Sequence, residues 1–77
     1  MSASLRERLP KGAVRDLVLA VIELNPGARW EHRGGGHIIL YPPTGGRPCP
    51  VSLSPRNDWR TAKNLRSQLR TSGFIVP

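Results

Sequence analysis

Apolar residues recur with helical spacing in the first third of the chain. Five of them fall at positions i, i+3, i+4, i+7 and i+8: Val14, Leu17, Val18, Val21 and Ile22. At about 3.6 residues per turn, this spacing places all five on one side of a helix. The pattern therefore predicts an amphipathic helix from Ala13 to Leu24, which the Asn-Pro-Gly sequence at 25–27 ends.

Strand-like patterns follow in three short segments, residues 28–33, 37–41 and 49–54. In the first, Trp30 and His32 alternate with charged residues, Arg29, Glu31 and Arg33, which is the period of a half-buried strand. The second has three consecutive apolar residues, which favours a central position in a sheet. The third has Val51 and Leu53 directed inward, and Pro48 and Pro50 lack the N–H donors of an interior strand. We therefore expect three strands with the third at an edge.

A second amphipathic helix is predicted near the end of the chain. Asn57 or Asp58 can cap it, and it is expected to reach about Ser72, with Gly73 ending it. Its apolar seam consists of Ala62, Leu65 and Leu69. At about 100° per residue, Arg60, Lys63, Ser67 and Arg70 share another side, with Arg66 at its border. We call the basic residues of this set the basic stripe: Arg60, Lys63, Arg66 and Arg70.

The order helix, three antiparallel strands, helix predicts an α+β domain. The compact arrangement of these elements covers one sheet face with both helices and leaves the other face open. We expect a single domain over residues 13–77, preceded by a flexible basic N-terminal arm at residues 1–12.

The charge balance points to a polyanionic partner. The 77 residues contain 12 Lys and Arg against 5 Asp and Glu, a formal net charge of +7, and ten of the twelve basic residues are arginine. Arginine pairs phosphate with two donors and stacks on bases, so nucleic acid is favoured. The alternative is a solvated basic surface without a partner.

Cysteine and apolar content restrict the compartment and the chemistry. The single cysteine, Cys49, cannot form an internal disulfide, and no Cys/His spacing resembles a zinc site. We expect no metal, no cofactor and a cytoplasmic location. The longest uncharged apolar run, residues 17–22, is too short to cross a bilayer, so no membrane anchor is expected.

Three consecutive glycines precede His37 at the start of the second predicted strand. Without Cβ atoms, Gly34, Gly35 and Gly36 permit unusual dihedral angles and let a ligand backbone approach. A histidine beside such a turn can take the proton of an RNA 2′-hydroxyl, which then attacks the adjacent phosphate. The alternative is an ordinary strand histidine after a glycine turn. Arginines that can neutralise the developing charge are Arg33, Arg56 and Arg60.

Two segments, in this order, resemble the HicA toxins, which are messenger-RNA interferases with a double-stranded-RNA-binding-domain fold. They are "RDLVLAVIELNPGARWEHRGGGHIILY" and "KNLRSQLRTSGF". The resemblance extends over about residues 14–75. Two positions depart from the family pattern, because Gly36 replaces the usual serine before the histidine and Arg56 replaces the usual second histidine.

The resemblance implies a ribonuclease toxin that cleaves messenger RNA, with His37 as its catalytic residue and a HicB-like antitoxin as its protein partner. The expected RNA-binding residues are the glycines of the turn, two further arginines and the basic stripe: Arg33, Gly34, Gly35, Gly36, Arg56, Arg60, Lys63, Arg66 and Arg70. The departures keep a second hypothesis open, a non-catalytic RNA- or DNA-binding module. A third is a protein-interaction domain.

Two further expectations concern aromatic and apolar residues outside the core. Strand alternation places Ile39 and Tyr41 on the same side as His37, so a His37 that reaches RNA leaves both on the open face, as a candidate partner site. Trp59, in the first turn of the last helix, is expected to cap the core, the alternative being a stacking surface for bases.

Overall fold

A computed structural model describes residues 5–34, 36–52 and 58–77, apart from the side chains of Arg6 and Arg8. Its elements are α1 (Leu5–Arg8), α2 (Ala13–Leu24), β1 (Arg29–Arg33), β2 (His37–Tyr41), β3 (Cys49–Ser52) and α3 (Asp58–Ser72). This is an α+β arrangement of helices and a three-stranded antiparallel sheet, as the sequence predicted. The bounds of α2 and β2 coincide with the predicted ones.

The strands form a sheet in the order β1-β2-β3, with both pairs antiparallel. The prediction of β2 at the centre and β3 at an edge is therefore confirmed. Pro48 and Pro50 explain the edge position of β3, since neither has an N–H for a further strand. Val51 is buried as predicted, whereas Leu53 lies outside the described residues.

The core lies against one face of this sheet. Ile38 and Leu40 of β2 are fully buried, and their neighbours across the register on β3 are Val51 and Cys49, also buried. These residues belong to one cluster with the buried side chains of the helices: Val14, Val18, Val21, Leu65 and Leu69. That both helices lie across this one face stays a prediction.

The helix α1 extends the packed part of the chain toward the N-terminus. Leu5 and Leu9, four residues apart, are only 7% and 3% exposed and join the core cluster. Packing therefore includes Leu5 and Leu9 together with the helices and the sheet, and burial of two leucines stabilises a fold of this size. The boundary between the arm and the domain stays a prediction.

The end of α3 is a Schellman motif. Gly73 has a φ of +111°, and its N–H donates to the carbonyl of Arg70, while the N–H of Phe74 donates to the carbonyl of Leu69 at 3.0 Å. Phe74 then enters the core. Gly73 ends the helix as predicted, because a left-handed residue is needed there.

No helix in the described part of the chain is long and apolar enough to cross a membrane.

Candidate functional site

The hairpin between β1 and β2 explains part of the glycine run. Arg33 pairs with His37, so residues 34–36 form a three-residue loop. Gly36 has a φ of +77°, the left-handed conformation that such loops require before the second strand. A Cβ at Gly34 or Gly36 would meet no atom within 4 Å, so the space beside the turn is open to a ligand. Gly35 lies outside the described residues.

His37 is exposed and belongs to the sheet face opposite the core. Strand alternation places it with Ile39 and Tyr41, away from the buried Ile38 and Leu40. The three residues therefore share one side of β2, as the sequence predicted, and this side faces away from the core. Ile39 and Tyr41 are half-buried on this face.

His37 also lines a groove between β3 and α3, with a volume of about 350 Å³. The remaining lining residues are Pro50, Val51, Ser52, Thr61, Asn64, Leu65 and Gln68. We call this cavity the groove. Among these described lining residues, His37 is the only one with a titratable side chain, and the others offer hydroxyl and amide groups for hydrogen bonds. Any acid–base chemistry by the described lining therefore depends on His37.

The polar groove residues of α3 were not identified from the sequence. Thr61, Asn64 and Gln68 follow one another at i, i+3 and i+7, which puts them along one side of the helix. This row of uncharged polar residues lies between the apolar seam and the basic stripe. Its helical spacing is a signal that the sequence contained.

Arg33 is the cation nearest to His37 in the register. Residues directly opposite in an antiparallel pair have Cβ atoms about 5 Å apart and share a face. The Arg33 Nε lies 3.3 Å from Oε1 of Glu31, and the Tyr41 hydroxyl donates to Oε2 of Glu31 at 3.2 Å. A hydrogen bond with Tyr41, and then the charge of Glu31, raise the pKa of Arg33 above its ordinary value. Arg33 is thus a permanent cation that pairs with His37 in the register, while its guanidinium is engaged by Glu31 and Tyr41.

Three members of the basic stripe border a cleft on α3. Lys63, Arg66 and Arg70, together with Ser67, line a volume of about 160 Å³, and all four are exposed. Arg66 also donates from Nε to the carbonyl of Pro77 at 2.8 Å. The fourth member, Arg60, is exposed on the same helix, whereas Arg56 lies outside the described residues.

The only acidic residue of α3 does not balance this charge. Asp58 accepts hydrogen bonds from the backbone N–H groups of Ala13 and Val14, at the start of α2. Its carboxylate is therefore committed to the amides of another helix. The stripe presents a concentrated positive surface as a result.

Trp59 does not cap the core, contrary to the expectation from the sequence. Its side chain is 72% exposed, and Nζ of Lys63 lies 5.9 Å from the centroid of its ring. A position in the first turn of α3 put the indole beside the basic stripe rather than over the apolar seam. The indole and the lysine form a cation–π pair at the surface.

Shared lining residues connect the groove to the cleft. Gln68 and Pro50 line both the groove and a second cavity of about 350 Å³, and Ser67 lines both that second cavity and the cleft. Cys49 also borders the second cavity, where burial raises the pKa of its thiol and so disfavours the reactive thiolate. The groove and the cleft thus each adjoin the second cavity.

No group of three or more His, Cys, Asp or Glu side chains that could hold a metal ion occurs among the residues for which the structure gives positions.

Comparison with known proteins identifies no relative of this chain, so a function has to be argued from these side chains. No family model matches the chain, and no curated protein and no solved structure gives a significant match.

Proposed function

We propose that this protein is an RNA-binding ribonuclease that cleaves messenger RNA without a metal, with His37 as general base. One observation carries the proposal: His37 is the single titratable side chain of the described groove lining, and the second cavity that adjoins this groove also adjoins the cleft of the basic stripe. The stripe supplies affinity for a phosphate backbone, and the histidine supplies the proton transfer. The resemblance to the HicA toxins supports the same function.

In the proposed reaction, the imidazole of His37 takes the proton of a ribose 2′-hydroxyl, and the 2′-oxygen attacks the adjacent phosphorus. The bond from phosphorus to the 5′-oxygen breaks, which leaves a 2′,3′-cyclic phosphate and a 5′-hydroxyl. The proton returns to the 5′-oxygen from the imidazolium or through water. Imidazole suits this exchange because it gains and loses a proton near neutral pH. Arg33, its cross-strand neighbour, stabilises the extra negative charge on the phosphorane.

The face that holds His37 is also the proposed site of a regulatory partner. Ile39 and Tyr41 present half-buried apolar surface beside His37, on the side of the sheet away from the core. A HicB-like antitoxin that covers these residues would block the groove and stabilise the toxin by binding only its folded state. A cytoplasmic location goes with this function, because messenger RNA and a cysteine without a disulfide both belong there.

A cleavage assay on purified protein tests the catalytic proposal. We expect His37→Ala to lower the cleavage rate by about 10²- to 10⁴-fold while RNA affinity changes little, because a general base acts on the chemical step. His32→Ala is the matched control, since His32 is also exposed but pairs with Ile38 on the other face of the sheet. Cleavage by His37→Ala at the wild-type rate would end the proposal, and so would inhibition by EDTA.

A non-catalytic RNA-binding module is the second candidate. The observation that favours it is the absence of a second acid or base among the described groove residues, so the 5′-oxygen has no dedicated proton donor there. The same assay distinguishes the two functions. Binding of RNA by the wild-type protein without any cleavage product would establish the module and exclude the ribonuclease.

A further inference from the structure

Trp59 is the most exposed large apolar side chain of the described chain, and it is an unusual residue to leave in water. Tryptophan is among the side chains with the largest apolar surface, and on average it is highly buried. Here 72% of its surface is accessible, although the core cluster lies on the same helix at Leu65 and Leu69. Its contribution to the core is therefore small, and a ligand that covers the ring would gain apolar burial.

The neighbours of Trp59 identify the chemistry of such a ligand. Lys63, Arg66 and Arg70 follow Trp59 by four, seven and eleven residues, so at about 100° per residue the four side chains lie within roughly 60° of one another. Along the axis they extend over about 16 Å, from the 1.5 Å rise per residue. The indole is thus one end of a cationic row, and it already receives Lys63 over its ring.

We infer that Trp59 stacks on an unpaired base of single-stranded RNA whose phosphates lie along Lys63, Arg66 and Arg70. The inference rests on the proposed RNA binding and specifies the strand state of the RNA. Every base has a π face, so an exposed indole binds unpaired bases with little sequence preference. Within a duplex these faces are occupied by neighbouring base pairs, and A-form RNA is bound through phosphates and 2′-hydroxyls, for which an aromatic ring is not needed.

Charge complementarity favours RNA over the other occupants of such a surface. The side chains that share the side of Trp59 are cationic and exposed, whereas a protein hot spot lies in a well-packed, fully desolvated pocket. Insertion into a lipid interface needs a broad apolar helix face, and on this side of α3 the indole is the only apolar group. Single-stranded RNA offers exposed bases that can stack on the ring and phosphates that can pair with the cations.

Equilibrium binding at fixed salt tests the inference with three RNAs of equal length: a single strand, the same strand with abasic sites, and a duplex. Trp59→Ala should weaken binding of the single strand by roughly 5- to 150-fold, which is the range for loss of one stacked base. The duplex and the abasic strand should bind wild type and variant alike. Trp59→Phe should retain most of the affinity, because it keeps an aromatic face. Since the ring is mostly in water, the substitutions leave the core intact.

The outcomes separate this inference from the proposed function. If Trp59→Ala binds the single strand as tightly as wild type while Lys63→Ala weakens it, stacking is wrong and RNA binding stands. If the wild-type protein binds none of the three RNAs, both are wrong. Stacking is also wrong if Trp59→Ala weakens binding of the single strand and of the duplex equally. It is wrong as well if Trp59 is needed for binding to phosphatidylserine vesicles and not for binding to RNA.

Discussion

The carboxylate of Asp58 accepts a hydrogen bond from the backbone N–H of Val14 at 3.1 Å, across 44 residues of sequence. It accepts a second from the N–H of Ala13, so the first residue of α3 caps the N-terminus of α2. The residue at the N-cap position of α2 itself is Gly12, which has no side chain to do this. One carboxylate therefore joins the starts of both helices, where helix dipoles favour negative charge.

Loss of this shared cap should destabilise the fold. We expect Asp58→Ala to lower the free energy of unfolding by about 1 kcal/mol, within the 0.5–2 kcal/mol range of lost N-caps, and Asp58→Asn to lower it less. Urea denaturation followed by circular dichroism measures both. Asp16→Ala is the control, because Asp16 is an exposed acid in the first turn of α2 that makes only a dipole interaction. An equal loss in Asp16→Ala would refute the capping role.

Gly12 is required by the same contact. Its φ is +150°, and a Cβ there would collide with the Asp58 carboxylate. Gly12→Ala should therefore cost more than about 1 kcal/mol, from backbone strain and steric overlap together. In an Asp58→Ala background the cost should fall, because only the strain remains. A double-mutant cycle by thermal unfolding measures the difference, and strictly additive costs would contradict the contact.

Asn25 fastens the C-terminal segment to the end of α2. Its side chain is 3% exposed, and Nδ2 donates to the carbonyls of Val21 at 2.6 Å and Ile75 at 2.8 Å, while Oδ1 accepts from the N–H of Ile75 at 2.9 Å. Asn25→Asp replaces both donors by an acceptor facing two carbonyl oxygens. We expect this substitution to lower the free energy of unfolding by about 1–3 kcal/mol at neutral pH.

Chemical denaturation and limited proteolysis of residues 74–77 check this expectation, since release of Ile75 exposes the segment. Asn64→Asp is the matched control, because Asn64 is exposed on α3. Resistance of Asn25→Asp to protease at the wild-type level would show that the amide does not hold the segment.

The two faces of β2 should respond differently to charge. Ile39→Asp places a carboxylate on the face away from the core, so the isolated protein should stay folded and should bind the proposed HicB-like partner more weakly. Ile38→Asp buries a carboxylate at a fully buried position and should cost more than about 3 kcal/mol. Circular dichroism of the two variants shows which of them stays folded. Unfolding of Ile39→Asp alone would mean that the sheet is turned the other way.

The basic stripe should determine the salt dependence of RNA binding. Neutralising Lys63 and Arg70 together removes two of the proposed phosphate contacts, so the negative slope of log K against log salt should become less steep by about 1.4, at roughly 0.7 per contact with a single strand. Arg29→Ala, an exposed arginine on β1, is the control and should leave the slope unchanged. An unaltered slope in the double variant would show that these charges are only solvated.

The periodicity of the sequence correctly predicted the features of the fold that depend on residues close together in the chain. The spacing of Val14, Val18 and Val21 located α2 to the residue, and strand alternation placed His37 on the face opposite Ile38. The side of α3 on which Trp59 lies was misjudged, although its spacing from Lys63, Arg66 and Arg70 at about 100° per residue already places it beside the basic stripe rather than over the seam.

Contacts between segments that are far apart in the chain could not be predicted from the sequence. Asp58 was one of two candidate caps for the start of α3, but its acceptance of N–H groups from α2 depends on the docking of two helices. The groove likewise exists only where β3 and α3 meet, so Ser52 and Gln68 could not be brought together from their spacing. Leu5 and Leu9 are a different case, since their i, i+4 spacing was visible and marks a helical turn with an apolar side.

The exposure of β1 creates a gradient of local stability across the sheet. Four of its five residues are exposed, and only Trp30 packs against the core, whereas β2 has two fully buried residues and hydrogen-bonds on both edges. Amide protons of β1 should therefore exchange through low-energy openings that leave β2 intact. Such an opening removes Arg33 from the side of His37 without moving the histidine, so fluctuations of an outer strand can alter the charge around a group held by the innermost one.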